Sequence, residues 1–220
     1  MNVVLFGASG MVGQGVLLAC LADPAIANVV SIGRRPLSVV HEKLSHIVHE
    51  DFLDYFALED RLRSADACFY CLGVSSNGMQ EEAYRRVTHD YPLAVARTLA
   101  RLNAGLAFCY VSGAGTDSTE KSRLMWARVK GRTENELLAL FPTAYMFRPG
   151  YIQPTDGIES STRSYRVFYK AFGFLFPFFD AVVPNLVTTT ARFGRAMIAA
   201  VRTKGPSRVI EMAEINTLGA

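Results

Sequence analysis

The stretch Gly7-Ala8-Ser9-Gly10-Met11-Val12-Gly13 takes its meaning from what stands on either side of it. Before it, residues 2–6 read Asn-Val-Val-Leu-Phe, a short apolar run rich in β-branched side chains that suits a strand buried on both faces. After it, Val12, Val16 and Cys20 recur at i, i+4 and i+8, which puts them on one greasy face of a helix. A glycine turn between strand and helix is a dinucleotide-binding fingerprint. Gly7 lets the chain turn tightly, Gly10 lets backbone approach a pyrophosphate, and Gly13 lets helix pack close on strand, while the helix N-terminus offers free amides to the anion. Gly7, Ser9, Gly10, Met11, Val12 and Gly13 are therefore candidate cofactor-binding residues. Three glycines alone would be a weak signal; their position carries the reading.

Working outward, strand-like runs at 28–32, 45–48, 67–71, 107–111 and 144–147 alternate with helical patterns such as Val95, Leu99 and Leu102. That alternation predicts an α/β fold: a Rossmann-like, doubly wound parallel sheet of order 3-2-1-4-5-6. Pro92 lies inside a helical pattern and predicts a break or kink, because proline lacks the amide the helix needs. The expected organisation is a single domain over 1–220, with a Rossmann core at 1–150 and an irregular, partly helical substrate-side segment at 151–220. Within that segment 151–185 reads as irregular and aromatic. A helix follows from Thr190 to Arg202, Gly205-Pro206 stop it, and 209–212 is a candidate seventh strand.

About 20 residues past the last glycine, such folds place the side chain that meets the adenosine ribose, acidic for NAD and basic for the 2′-phosphate of NADP. Gly33-Arg34-Arg35 occupies that place, so Arg34 and Arg35 favour NADP over NAD. Asp51, after the third strand, reads either as an acceptor for the adenine amino group or as an exposed turn acid.

Composition narrows the partners. At 220 residues the chain fits one domain, and 23 Lys and Arg against 20 Asp and Glu leave a charge of only +3. No basic run tracks a phosphate backbone, which argues against nucleic acid as a partner. Cys20, Cys68, Cys71 and Cys109 sit in apolar stretches and read as reduced core thiols, so a reducing cytoplasm is the expected location. The start of the sequence carries no basic leader with an apolar core, and no uncharged apolar run reaches about 18 residues. Cys68 and Cys71 have redox-motif spacing, yet on a strand i and i+3 point to opposite faces. His41, His46 and His49 lack companions at metal-ligand spacing, so no metal site is expected.

Taken jointly, the glycine turn, Cys68-Phe-Tyr-Cys-Leu-Gly73, Arg86-Val-Thr-His-Asp-Tyr91, Tyr110-Val-Ser-Gly113, Trp126-Ala-Arg-Val-Lys130-Gly131 and Phe147-Arg-Pro-Gly150 make the chain resemble an atypical short-chain dehydrogenase/reductase. The resemblance is to the branch of the HIV Tat-interacting oxidoreductase and covers most of the chain. It implies that Cys71, Leu72 and Gly73 pass under the cofactor ribose and that Pro149, Gly150 and Ile152 border the nicotinamide. The superfamily's chemistry is usually carried by serine, tyrosine and lysine, with tyrosine and lysine four apart on one helix. At that spacing an ammonium lowers the phenol's pKa and also holds the ribose.

Here Lys130 is present and Trp126 stands where the tyrosine belongs. An indole donates a hydrogen bond but gives up no proton near neutral pH. Ser112 falls near the place of the polarising serine, with Gly113 and Ala114 in neighbouring alignments. Tyr151, Tyr165 and Tyr169 are substitute acids anchored by no motif. Two functions follow: an NADP-dependent oxidoreductase-like protein with a degenerate site acting on a small carbonyl or alcohol, or a non-catalytic NADP-sensing regulatory or interaction protein. The aromatic run bounded by Phe172 and Phe179 reads as a substrate lid or buried wall, a self-association surface, or a peripheral membrane contact. Substrate and oligomeric state are left open.

Overall fold

The computed structural model describes residues 1–158 and 185–220. The aromatic run with Phe172 and Phe179, and with it Tyr165 and Tyr169, lies outside the described residues.

Strands β1 (Asn2–Phe6), β2 (Asn28–Gly33), β3 (Leu44–Val48), β4 (Ala67–Tyr70), β5 (Ala107–Val111), β6 (Ala144–Arg148) and, late in the chain, β9 (Val209–Glu211) form one sheet. Its order is β3-β2-β1-β4-β5-β6-β9, and every described pairing is parallel. The order expected for six strands is the order observed. The seventh is one residue shorter than expected, because Met212 already opens a helix.

Two-residue alternation sorts the side chains. Val3, Leu5, Ala67, Phe69, Ala107, Cys109 and Phe147 face one core, while Val4, Phe6, Cys68, Tyr70, Phe108, Tyr110 and Met146 face the other. The first core is closed by α1 (Met11–Ala22) and α6 (Thr190–Thr203). The second is closed by α4 (Tyr91–Leu102) and α5 (Met125–Leu140), with shorter α2 (Glu59–Leu62) and α3 (Glu81–Arg85) beside them. Cys68 and Cys71 pack on opposite faces, so they form no redox pair, and all four cysteines are free thiols.

Pro92 does not break the chain's helical path. A π-helical turn, Arg86–Asp90, joins α3 to α4, with the proline in the first turn of α4. A proline at 92 deprives the carbonyl of Thr88, four residues back, of its helical donor. That carbonyl instead accepts from the Tyr110 hydroxyl at 3.0 Å, so a neighbour on β5 replaces the missing amide, while Thr133, 3.2 Å away, gives its one proton to the Val129 carbonyl at 2.9 Å. Tyr70 offers the contrast. Its hydroxyl is fully buried between Phe6 and Phe108 and has no hydrogen-bond partner among the described residues. Tyr110→Phe is therefore expected to cost about 1 kcal/mol or more, and Tyr70→Phe to change stability by under about 0.5 kcal/mol or to raise it. Urea denaturation of both variants checks the pair; equal losses would contradict this account.

The region beyond residue 150 holds three elements that the sequence does not announce. β7 (Tyr151–Gln153) and β8 (Val187–Thr189) pair in parallel as a separate small sheet. The last helix, α7 (Met212–Leu218), starts with a capping box in which Glu211 and Glu214 exchange side-chain and backbone hydrogen bonds. Among the described residues no helix is long and apolar enough to cross a membrane.

Candidate active site

The carboxyl ends of β1, β2 and β4 open onto a cleft of about 290 Å³ lined by Gly7, Ser9, Gly10, Gly33, Arg34, Arg35, Phe52, Cys71, Leu72 and Gly73. Gly7 has φ +84°, and a Cβ on it would sit 2.6 Å from the Leu72 nitrogen; one on Gly13 would sit 2.0 Å from the Gly7 oxygen. The protein's own packing demands these two glycines. Gly10 and Gly73 differ. A Cβ at Gly10 would meet only the Gly7 oxygen, at 3.3 Å, and one at Gly73 would meet nothing within 4 Å. The fold leaves that space open where a phosphate and ribose would approach.

Helix α1 starts at Met11 after Gly10, with no side-chain cap and no acidic residue in its first turn, so its N-terminal amides face an uncontested anion site. Met11 and Val12 supply backbone to that turn while their side chains lean on the first core. The residues present thus fit a dinucleotide, with the glycine turn at its pyrophosphate.

Arg34 and Arg35 are exposed, line the cleft, and have no carboxylate partner among the described residues. The His46 Nε2 donates to the Arg35 carbonyl at 2.8 Å and pins the turn that carries them. Asp51 is not in the cleft wall; its carboxylate accepts from the Leu53 amide at 3.0 Å, a turn-forming bond. Its neighbour Phe52 lines the cleft instead, a residue that motif reading passed over.

The second half of the site lies where β5 and β6 end and α5 begins. Lys130 Nζ donates to the Ser112 carbonyl at 2.6 Å, and burial of the ammonium pulls its pKa down to about 8 against the opposing pull of Glu134. At pH 7 it remains mostly charged. Trp126 lies one turn earlier on α5, with its ring against Gly115.

Hydroxyl protons can be assigned here by elimination. Thr116 Oγ1 gives its only proton to the Gly113 carbonyl at 2.8 Å, so in the 2.9 Å contact between Ser112 and Thr116 it is Ser112 that donates. Ser112 has then no proton left to polarise a substrate carbonyl. Tyr151 gives its own proton to the Gln153 Oε1 at 2.6 Å, and burial raises its pKa. Pro149 is buried and its carbonyl accepts from the Ala114 amide at 2.9 Å; Gly150 is exposed beside it. Ile152 is only 6% exposed, with its side chain in the first core, so what it offers a ligand is backbone.

The loop between β5 and α5 is held by Asp117, whose carboxylate accepts from the Thr119 hydroxyl at 2.7 Å and from the amides of Thr119, Lys121 and Ser122. These bonds, the Thr119 hydroxyl first, hold its pKa down at about 2. Because the folded pKa lies below the unfolded value of about 3.9, this stabilisation is present above about pH 4 and is lost as pH falls toward 2. Asp117→Asn is expected to lower stability at pH 7 and to flatten the decline between about pH 4 and 2. Urea titrations at several pH values measure this; an unchanged acid slope would count against it.

A parallel 3-2-1-4-5-6 sheet with a glycine turn on its first crossover and a lysine-bearing helix beside the fifth strand is the architecture of the short-chain dehydrogenases. No protein-family model matches the chain, but curated relatives do. It is 30% identical over 155 residues to the rat protein HTATIP2, covering 69% of this chain and 62% of that one. It is 31% identical over 159 residues to the mitochondrial fmp52 protein of Emericella nidulans, covering 69% and 66%. With fmp52-1 of Aspergillus terreus it shares 30% over 161 residues, 70% and 68% of the two chains. The chain belongs to the atypical short-chain dehydrogenase/reductase family of HTATIP2 and fmp52 proteins, and spans just under two thirds of the first two relatives' lengths.

Solved structures agree in fold. A thiolation-reductase di-domain from an archaeal non-ribosomal peptide synthetase superposes with TM-score 0.71 at 14% identity, covering 96% of this chain and 70% of that one. A Burkholderia cenocepacia short chain dehydrogenase in complex with NADP superposes with TM-score 0.64 at 14% identity, covering 96% and 87%.

Proposed function

We propose that this protein binds NADP and acts, at a low rate, as an oxidoreductase on a small carbonyl or alcohol, with a degenerate proton-donating site. The nicotinamide, when bound, supplies hydride transfer; the protein supplies position. Gly7, Ser9, Gly10 and the first amides of α1 would hold the pyrophosphate, Arg34 and Arg35 the 2′-phosphate, and Lys130 a ribose.

One observation carries the reading of a slow enzyme: the helix position one turn before Lys130 is an indole, while the nearby Ser112 and Tyr151 protons are already given to Thr116 and Gln153. The same observation favours the second reading, a protein that senses NADP and turns over nothing. The free thiols fit a reducing compartment such as the cytoplasm, although the fungal relatives are named mitochondrial. The small-molecule partner is expected to be apolar, since the exposed side chains Val74, Leu124 and Leu186 lie next to Gly73, to the start of α5 and to Gly150.

Trp126 is the chain's one tryptophan, so its fluorescence reports on this site alone. NADPH, whose reduced ring absorbs where indole emits, is expected to quench it, and NADH to do so only at higher concentration. Absence of quenching by either nucleotide would overturn the reading.

A further inference from the structure

Glu134 stands four residues after Lys130, on the same face of α5, and is fully buried. A buried carboxylate takes a cation, and Lys130 is near enough to feel its charge. Yet Lys130 Nζ turns to the Ser112 carbonyl, and Glu134 is gripped from β6. Arg148 Nε donates to Glu134 Oε1 at 3.1 Å and its Nη2 to Oε2, a bidentate fork. The guanidinium is itself only 13% exposed and is braced by Ser118 Oγ at 2.5 Å and Glu211 Oε1 at 3.3 Å.

We propose that Arg148 is a positioning residue for the cofactor site: its fork holds Glu134 off Lys130, so that the ammonium keeps protons free for a cofactor ribose. This rests on the reading of Lys130 as the ribose holder. The groups that act on the ammonium are Glu134 on its own helix and the Ser112 carbonyl just past β5; on the far side of Glu134 stand Arg148 on β6 and, beyond it, the half-exposed Glu211 on β9. Glu134 is thus the carboxylate within competition, and Arg148 the cation that removes it. A pKa for Lys130 lowered to about 8, rather than raised, is what an ammonium without its own carboxylate partner should show. A plain lysine at 148 would supply charge but not the two-point grip.

The test reads NADPH affinity from Trp126 fluorescence across about pH 6 to 10. In the parent protein affinity is expected to fall as pH rises past about 8, where Lys130 loses its charge. In Arg148→Gln, Glu134 pairs with Lys130: affinity near pH 7 drops about tenfold or more, and the alkaline fall moves to higher pH because the paired ammonium holds its proton longer. Adding Glu134→Gln removes the competing carboxylate and is expected to return both quantities toward the parent's, whereas Arg148→Lys falls between. A merely structural role for Arg148 would lower the melting temperature without moving the alkaline fall. Parent-like affinity and pH profile in Arg148→Gln, or a double variant as weak as the single one, would overturn the proposal. If Arg148→Gln does not fold, the double variant carries the decision, since it removes both charges together: parent-like binding supports the proposal and weak binding overturns it. Failure of the parent itself to bind NADPH would instead overturn the cofactor reading beneath it.

Discussion

Trp126→Tyr is expected to raise the rate of NADPH-dependent carbonyl reduction by about a hundredfold to ten-thousandfold over the parent protein, the range a positioned general acid contributes. The new phenol would lie one helical turn from Lys130, whose ammonium is mostly charged at pH 7 and would stabilise the phenolate. The gain should therefore fade as pH rises past about 8, and should vanish in Trp126→Tyr/Lys130→Met. Hydride transfer in the parent would proceed from proximity alone, slowly. Removing the larger ring opens space against Gly115 and costs some stability, so the rates are to be compared well below both melting temperatures. The assay is loss of NADPH absorbance over a panel of aliphatic and aromatic aldehydes and ketones. Fast parent turnover that persists in Trp126→Phe and Lys130→Met would place the chemistry on other residues.

Much of the fold was legible because its signals are local. Strands buried on both faces announce themselves as short apolar runs, and the glycine turn has meaning only between a strand and a helix, a context that residues 2–20 spell out. Strand ends were harder. Gly33 and Arg148 extend the ladder by one residue each although neither is a strand former, since the neighbouring strand supplies the pairing.

Features that depend on contacts distant in sequence were not legible. Pro92 reads as a break, but Tyr110 satisfies the carbonyl it orphans, and no local pattern shows that it is near. In the same way Ser112 matched a catalytic position by motif, while the fate of its proton depends on the turn that brings Thr116 back to it. Phe52 enters the cleft, and Asp51 does not, through a turn whose aspartate caps its own backbone. That Asx turn was readable in principle from the Asp-Phe-Leu-Asp run; the grip of Arg148 on Glu134 was not.

Arg34→Ala and Arg35→Ala are each expected to weaken NADP binding by about tenfold to a hundredfold, while leaving NAD binding within about twofold. The reason is the charge balance at the cleft's outer end. A hydrogen bond to a charged group contributes about 1.5 to 3 kcal/mol, and each 1.4 kcal/mol is a factor of ten in affinity. Neither guanidinium has a carboxylate to leave behind among the described residues, so no internal ion pair must be broken before a phosphate is met. Of the two, Arg35 should show the steeper loss, since its carbonyl is tied to His46 and its backbone is already fixed, whereas Arg34 lacks that tether. Both effects should shrink in high salt, because the side chains are exposed. Titration calorimetry with NADP and NAD on the parent and the two variants measures the difference. Equal affinity for both nucleotides in all three proteins would remove the arginines from the specificity of this site, and NAD would then have to be considered the cofactor on equal terms.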